Sequence, residues 1–149
     1  RLLCMREMEG KHIVMVTRKG TIKKTDAMAF AKIRVSGIRA LGLDEGDALA
    51  FCGVSSGKDT IVIATAHGQG IHFKEDEVRS MGRQAVGVIG IRLRDEDYVV
   101  GMEIIDDENK NICFTYKRRT YQMETQRGIP SLFCKWFTYA FPWMAPCGF

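Results

Sequence analysis

The chain has 149 residues, 46% hydrophobic and 27% charged, which is about one globular domain's worth and excludes a wholly disordered or collagen-like chain. Its formal charge of +4 is unevenly placed: residues 111–149 hold five of the 22 Lys+Arg but only one of the 18 Asp+Glu, Glu124, which leaves residues 1–110 with 17 of each. The same C-terminal stretch holds all three Pro, 10 of the 14 aromatics and three of the five Cys, so two compositions meet near Asn111.

The start, Arg1-Leu2-Leu3-Cys4, has neither an initiator Met nor an apolar signal core, and the chain reads as a fragment of something longer. The first elements form a repeat. Val16-Thr17-Arg18-Lys19-Gly20-Thr21-Ile22-Lys23-Lys24 lines up with Ala64-Thr65-Ala66-His67-Gly68-Gln69-Gly70-Ile71-His72 at an offset of 48 residues. Each copy is an apolar strand, a turn carrying Gly, and a strand with polar alternation. The leading strands are His12-Ile13-Val14-Met15-Val16 and Thr60-Ile61-Val62-Ile63-Ala64. Gly20 and Gly68 supply the positive φ that a tight hairpin needs.

A second matched pair follows. Gly37-Ile38-Arg39-Ala40-Leu41-Gly42-Leu43 aligns with Gly87-Val88-Ile89-Gly90-Ile91-Arg92-Leu93 at an offset of 50. Acidic turns come next, Asp44-Glu45-Gly46-Asp47 and Arg94-Asp95-Glu96-Asp97, and then apolar strands over 48–54 and 98–105. Only 27–33 and 74–81 have room for a helical turn. A period near 50 with several short strands per copy is the mark of propeller-like blades. The expected fold is all-β, about two blades of a pinwheel or propeller-like domain. The first blade repeat spans 1–58 and the second 59–110, with an aberrant tail over 111–149.

These repeats resemble the C-terminal domain of the A subunit of DNA gyrase, and less closely that of topoisomerase IV. The resemblance rests on Thr17 through Thr25, Gly37-Ile38-Arg39-Ala40, Leu43 through Asp47, Glu77 through Val88, Gly90-Ile91-Arg92-Leu93 and Val99-Val100-Gly101-Met102. It runs from about residue 11 to residue 108. It implies a β-pinwheel in which blades exchange strands with their neighbours. It also implies a non-catalytic role, with a basic rim that wraps double-stranded DNA and helps introduce negative supercoils. The parent would be an ATP-dependent type IIA topoisomerase in the bacterial cytoplasm at the nucleoid, built from two A subunits working with the B subunit. No cofactor is implied for this stretch, and no membrane partner. One departure stands out. The family's wrapping motif, a Gln followed by basic residues and glycines, is not found; the nearest stretch is Met81-Gly82-Arg83-Gln84-Ala85.

Phosphate contact requires Lys or Arg on an exposed face. The candidates are Arg18, Lys19, Lys23, Lys24, Lys32, Arg34 and Arg39 in the first repeat, and Arg79, Arg83 and Arg92 in the second, with Lys74 and Arg94 beside them. Lys23 and Lys24 are adjacent on a strand, so at most one of them meets DNA. The acidic turns would repel phosphate and should occupy the opposite edge of each blade. The competing class is a propeller-type protein-interaction module without DNA affinity.

Other chemistries fail on spacing. Gly68-Gln69-Gly70 is followed by Phe73 where a dinucleotide loop needs its third glycine. Gly53-Val54-Ser55-Ser56-Gly57-Lys58 places its first Gly one residue too close for a phosphate loop, and Asp59 replaces the Ser/Thr. His12, His67 and His72 lack Cys or carboxylate partners at metal-ligand spacing. Asp106-Asp107-Glu108 reads as a solvated loop. Ser55 and Ser56 have no motif-placed His. The five Cys include no CxxC pair, so neither a zinc site nor a disulfide framework is signalled. A membrane segment over 129–149 is opposed by its three Pro and Lys135.

The tail looks out of frame. A third repeat should begin near 112, and Thr115 stands where Thr65 predicts it, but Arg118 replaces the turn Gly. Read one nucleotide later, Tyr116-Lys117-Arg118-Arg119 admits codons for Thr-Lys-Glu-Gly, and the next three codons admit Leu-Ile-Lys. A frameshift near 109–112 would explain the sudden enrichment in Pro, Trp and Cys. Sequencing the gene through these codons tests this. The shifted frame is expected to restore a third Gly-turn repeat; an intact frame with no such repeat rejects the idea.

Overall fold

The computed structural model describes residues 3, 5–32, 35–94 and 96–106, together with the strand backbone of 112–116 and 119–123. Arg34, Asp95 and the segment 129–149 lie outside the described residues. Among the described residues, no helix is long and apolar enough to cross a membrane.

The first sheet is built on the hairpin of β1 (His12–Thr17) and β2 (Thr21–Asp26). β3 (Leu49–Ser55) pairs antiparallel with the other side of β1. The second sheet repeats this plan. β4 (Thr60–Thr65) and β5 (Gly70–Lys74) form the hairpin, and β7 (Val99–Ile105) flanks β4. The strand between them in sequence, β6 (Val88–Ile89), does not join its own repeat. It pairs antiparallel with β2, giving a first sheet of order β3-β1-β2-β6 and a second of order β5-β4-β7. The sheets therefore cross the repeat boundary near residue 58: the second repeat lends a strand to the first. The third hairpin, β8 (Ile112–Tyr116) with β9 (Arg119–Met123), falls where the repeat calls for it.

Repetition extends to individual atoms. In the first turn the Gly20 N–H donates to the Thr17 carbonyl (3.1 Å) and the Thr21 N–H to Thr17 Oγ1 (3.1 Å). In the second, Gly68 donates to the Thr65 carbonyl (3.1 Å) and Gln69 to Thr65 Oγ1 (3.0 Å). Gly20 and Gly68 have φ of 88° and 83°, the left-handed region that the turn requires. Ladder irregularities fall at Val16/Thr17 and Ala64/Thr65, also matched positions. The two helical turns are single 3₁₀ turns, Ala27–Phe30 and Glu75–Glu77.

The apolar core is one cluster across both sheets. Val14, Val16 and Ile22 pack with Ile61, Ile63, Val78, Ile91, Val99 and Met102. All six residues of β4 are buried, which is why that strand reads as a continuous apolar run with no alternation. At Gly53 on β3, a Cβ would lie 2.7 Å from Ile104 Cδ1 on β7. The missing side chain lets the second sheet approach the first closely.

A buried polar clasp joins the repeats beside this core. Glu75 is fully buried. Its carboxylate accepts from Ser55 Oγ (2.7 Å) and the Gly57 N–H (2.9 Å). Lys24 Nζ lies 3.8 Å from Glu75 Oε1 and donates to the Glu75 carbonyl at 2.7 Å. His12 Nδ1 is 3.7 Å from the same carboxylate. The stretch that superficially resembles a phosphate loop is thus the link from β3 in one sheet to β4 in the other, not a hairpin loop, and its N–H groups serve carboxylates, since the Ser56 N–H also goes to Asp59 Oδ2 at 2.7 Å.

Removing one member of a buried pair leaves the other uncompensated, which costs about 3–5 kcal/mol. Glu75→Ala is expected to destabilise the chain by that order, read by urea unfolding. A loss no larger than that of a typical exposed substitution would show that the clasp contributes nothing.

Candidate nucleic-acid interface

The basic residues fall in two places with different surroundings. At the hairpin-turn end, Arg18 and Lys19 are exposed on the β1–β2 turn. The Arg18 N–H donates to the Ala48 carbonyl (2.7 Å), and its own carbonyl accepts from the Val99 N–H (3.0 Å). The guanidinium stacks over the Tyr98 ring, 4.5 Å from its centroid. The Lys19 N–H donates to Asp47 Oδ1 (3.0 Å), and Lys19 Nζ to the Glu45 carbonyl (2.8 Å). The second repeat copies the backbone contact, with the His67 N–H on Asp97 Oδ1 at 3.0 Å.

The acidic turns therefore sit against the hairpin turns and not at the opposite edge of each blade. This corrects the expected segregation. The tight turn leaves an N–H without a ladder partner, and an aspartate from the next loop satisfies it. Burial raises the Asp47 carboxyl, but hydrogen bonds from the Thr17 hydroxyl and the Ala48 and Lys19 N–H groups, with the Lys19 charge, outweigh it and hold the group below its ordinary value. Arg92 and Arg94 are exposed on the segment that leaves this end, where the Ile91 N–H meets the Gly20 carbonyl at 3.1 Å.

Lys23 and Lys24 leave the phosphate set altogether. Both are buried, at 0% and 6% exposure. Lys24 is consumed by the Glu75 clasp. Lys23 Nζ donates to the carbonyls of Ala40 (2.8 Å) and Arg83 (2.5 Å). Alternation along β2 does send them to opposite faces, but both faces are covered, because β2 lies inside its sheet and loops from both repeats fold over it.

The Lys23 tie creates the second basic region. It holds the 37–43 segment beside 80–86, outside β2. The Gly42 N–H on the Ala85 carbonyl (3.2 Å) and the Met81 N–H on the Lys24 carbonyl (2.8 Å) fix the same arrangement. Arg39 and Arg79 are exposed here and Arg83 is half-buried. The connections 27–43 and 78–94 contain no acidic residue and carry Lys32, Arg34 and Arg39, then Arg79, Arg83, Arg92 and Arg94. Lys32 and Lys74 are exposed. Acid-free connections are a signal in the sequence for this basic region. The tie by Lys23 had none, because nothing local marks a strand lysine as buried.

Two consecutive stretches, 11–56 and 59–106, match the family model described as DNA gyrase C-terminal domain, beta-propeller. The chain is 42% identical over 123 residues to the DNA gyrase A subunit of Klebsiella oxytoca, covering 80% of this chain and 14% of that protein. It is 41% identical over 114 residues to its counterpart from Kosmotoga olearia, covering 76% and 14%. The chain thus spans about one seventh of these relatives' length, at 14%. Among solved structures, the C-terminal domain of a DNA topoisomerase IV superposes with a TM-score of 0.73 at 26% identity, covering 80% of this chain and 38% of that one. A DNA gyrase A C-terminal domain superposes with a TM-score of 0.67 at 15% identity, covering 78% and 39%, a likeness of fold.

Burial pushes the Lys23 ammonium below its ordinary value of 10.5. The unfolded chain then holds this proton more tightly, so stability rises with pH from the lowered value up to 10.5. Lys23→Met is expected to remove that rise. At neutral pH it also leaves two carbonyls unpaired, at a cost of about 1–3 kcal/mol. Denaturant unfolding of both proteins across pH checks this; equal stability with parallel pH profiles would show that the tie carries no weight.

Proposed function

The chain belongs to the DNA gyrase C-terminal domain family, and on that premise we propose that it is a non-catalytic, duplex-binding segment of a type IIA topoisomerase, from the A subunit of a gyrase. Phosphates would lie along the rim formed by Arg39, Arg79 and Arg83, with Lys32 and Arg92 as further candidates; Arg34, on the same connection in sequence, lies outside the described residues. The observation that carries this reading is the pair of acid-free connections held side by side by Lys23. The turn-end cations Arg18 and Lys19 are weaker contributors, because Asp47 and the Glu45 carbonyl already engage that turn. In the parent enzyme, inside the bacterial cytoplasm, the segment would need no cofactor of its own. It would act within a pair of A subunits, beside the ATP-hydrolysing B subunit.

Binding of this kind reads the backbone and its bendability, with little base readout. Affinity for a fluorescent duplex, measured by anisotropy, is expected to fall steeply with salt and to differ little between unrelated sequences. Each phosphate contact contributes about −0.9 to the slope of log K against log salt. Arg39→Ala, Arg79→Ala and Arg83→Ala should each reduce that slope by about one, and Arg18→Ala by less. Absence of duplex affinity at low salt, alongside specific capture of a protein partner, would favour the protein-interaction module instead.

A further inference from the structure

We infer that Lys23, although buried beyond the reach of any phosphate, is a positioning residue for duplex binding: its ammonium sets how Arg39 and Arg83 stand relative to each other, and affinity depends on it through them. The inference rests on the duplex reading above and names the group that makes two separate cations act as one site.

A single nitrogen atom is bound to both halves of the rim. Lys23 is 0% exposed on β2. Its Nζ donates to the Ala40 carbonyl at 2.8 Å and the Arg83 carbonyl at 2.5 Å, groups 17 and 60 residues away in the chain. One acceptor belongs to a rim arginine and the other to the residue beside Arg39. The two acceptors come from successive repeats, so the tie crosses the boundary between them. The segments also touch directly. A Cβ at Gly42 would lie 3.1 Å from Val86 Cγ2 and 3.2 Å from the Gln84 carbonyl. The 80–86 stretch has a further hold on β2, a bridge between Ser80 and Lys24. The 37–43 stretch is held by Lys23 and by the Gly42 N–H on the Ala85 carbonyl at 3.2 Å.

The repeat shows that the hairpin itself does not call for a lysine. At the same place in the second repeat stands Ile71, which pairs across the ladder with Ile63 as Lys23 pairs with Met15. Ile71 packs against the apolar core. An aliphatic side chain therefore serves the strand at this position. A buried ammonium carries a desolvation cost that an aliphatic residue avoids. Among the described residues Lys23 makes no ion pair that would offset it. Burial accordingly pushes the group below its ordinary value. A local rule broken in one repeat and kept in the other marks a position with work beyond folding.

That work is preorganisation. Duplex phosphates have fixed spacing. Cations on irregular segments must be ordered before they can match it, and ordering loops and long side chains at an interface weakens binding. With the Ala40 and Arg83 carbonyls fastened to one ammonium, much of this ordering is complete before the duplex arrives. Without the tie, Arg39 and Arg83 would each meet phosphate independently.

A double-mutant cycle tests the inference, with affinity for a labelled duplex read by anisotropy at low salt. The proteins are the wild-type chain, Lys23→Met, the pair Arg39→Ala with Arg83→Ala, and all three changes together. Circular dichroism checks that each is folded at the temperature used. Lys23→Met is expected to weaken binding about tenfold when both arginines are present, and by no more than about twofold when both are absent. Equal weakening in the two backgrounds would make Lys23 a support of the fold alone and overturn the inference. A Lys23→Met chain that binds as tightly as wild type would overturn it too. Should Lys23→Met fail to fold, Lys23→Gln keeps two N–H donors on a shorter side chain and weakens the same tie. Hydrogen exchange supplies a readout free of nucleic acid. Lys23→Met should speed exchange at the Gly42 N–H more than at the β1 amides, and equal acceleration would show that Lys23 does not hold the segments together. A wild-type chain without duplex affinity rejects the duplex reading itself, and the inference falls with it.

Discussion

Close backbone approach between the repeats is the contact on which the rest depends. The Gly20 carbonyl receives two N–H groups from the second repeat, and a Cβ at Gly20 would sit 2.6 Å from the Ile91 carbonyl. At Gly87 the corresponding distance to the Ile22 carbonyl is 2.5 Å. No side chain fits in either place. Once β6 is docked there, Ile91 joins Val14, Val16 and Ile22 in the core, and the 78–86 connection is drawn across β2. Everything outside β2, including the basic rim, inherits its position from this docking.

The polar groups that reinforce the docking are buried cations bound to backbone, a costly choice in isolation. Lys23 and Lys24 each spend their ammonium on carbonyls of other segments. Burying such a charge is tolerable only when hydrogen bonds replace the lost water. In return, the pairing specifies where two irregular connections lie, which apolar contact alone does poorly because it is non-directional. The repeats differ here in a telling way. The counterparts of Lys23 and Lys24 are Ile71 and His72, both half-buried on β5, the terminal strand of the second sheet among the described residues. Burial pushes the His72 imidazole below its ordinary value, with Lys74 acting in the same direction and Glu77 against it.

Much of the fold was legible because blade repeats write their period into the chain. The matched turns at Gly20 and Gly68, the strands on either side, and the two short helical turns all stand where spacing puts them. The strand exchange itself was visible only through the family likeness. A two-residue strand such as β6 has no periodicity to detect, and nothing local says whose sheet it joins. The site was less legible, for an electrostatic reason. Counting charges along the sequence treats each Lys as solvated, yet Lys23 and Lys24 are structural while Arg39 and Arg79 stay exposed. The acidic turns misled in the same way. Read as repulsion, Asp47 belongs far from Lys19; read as a hydrogen-bond acceptor for an orphan N–H, it belongs against it.

That second reading also bears on how a stretch with balanced charge distributes its acids and bases. Asp47 and Asp97 are committed to turn N–H groups at one end of the blades. Glu75 is committed inside the clasp, and Asp59 to the Ser56 turn. These carboxylates project little field outward along the rim. Arg39 and Arg79 are exposed, and the connections 27–43 and 78–94 on which they stand contain no acidic residue. Hydrogen bonding thus engages these four carboxylates at the turns and between the repeats, while the connections 27–43 and 78–94 carry bases without acids; local placement of this kind, and not net charge, sets the field along a surface.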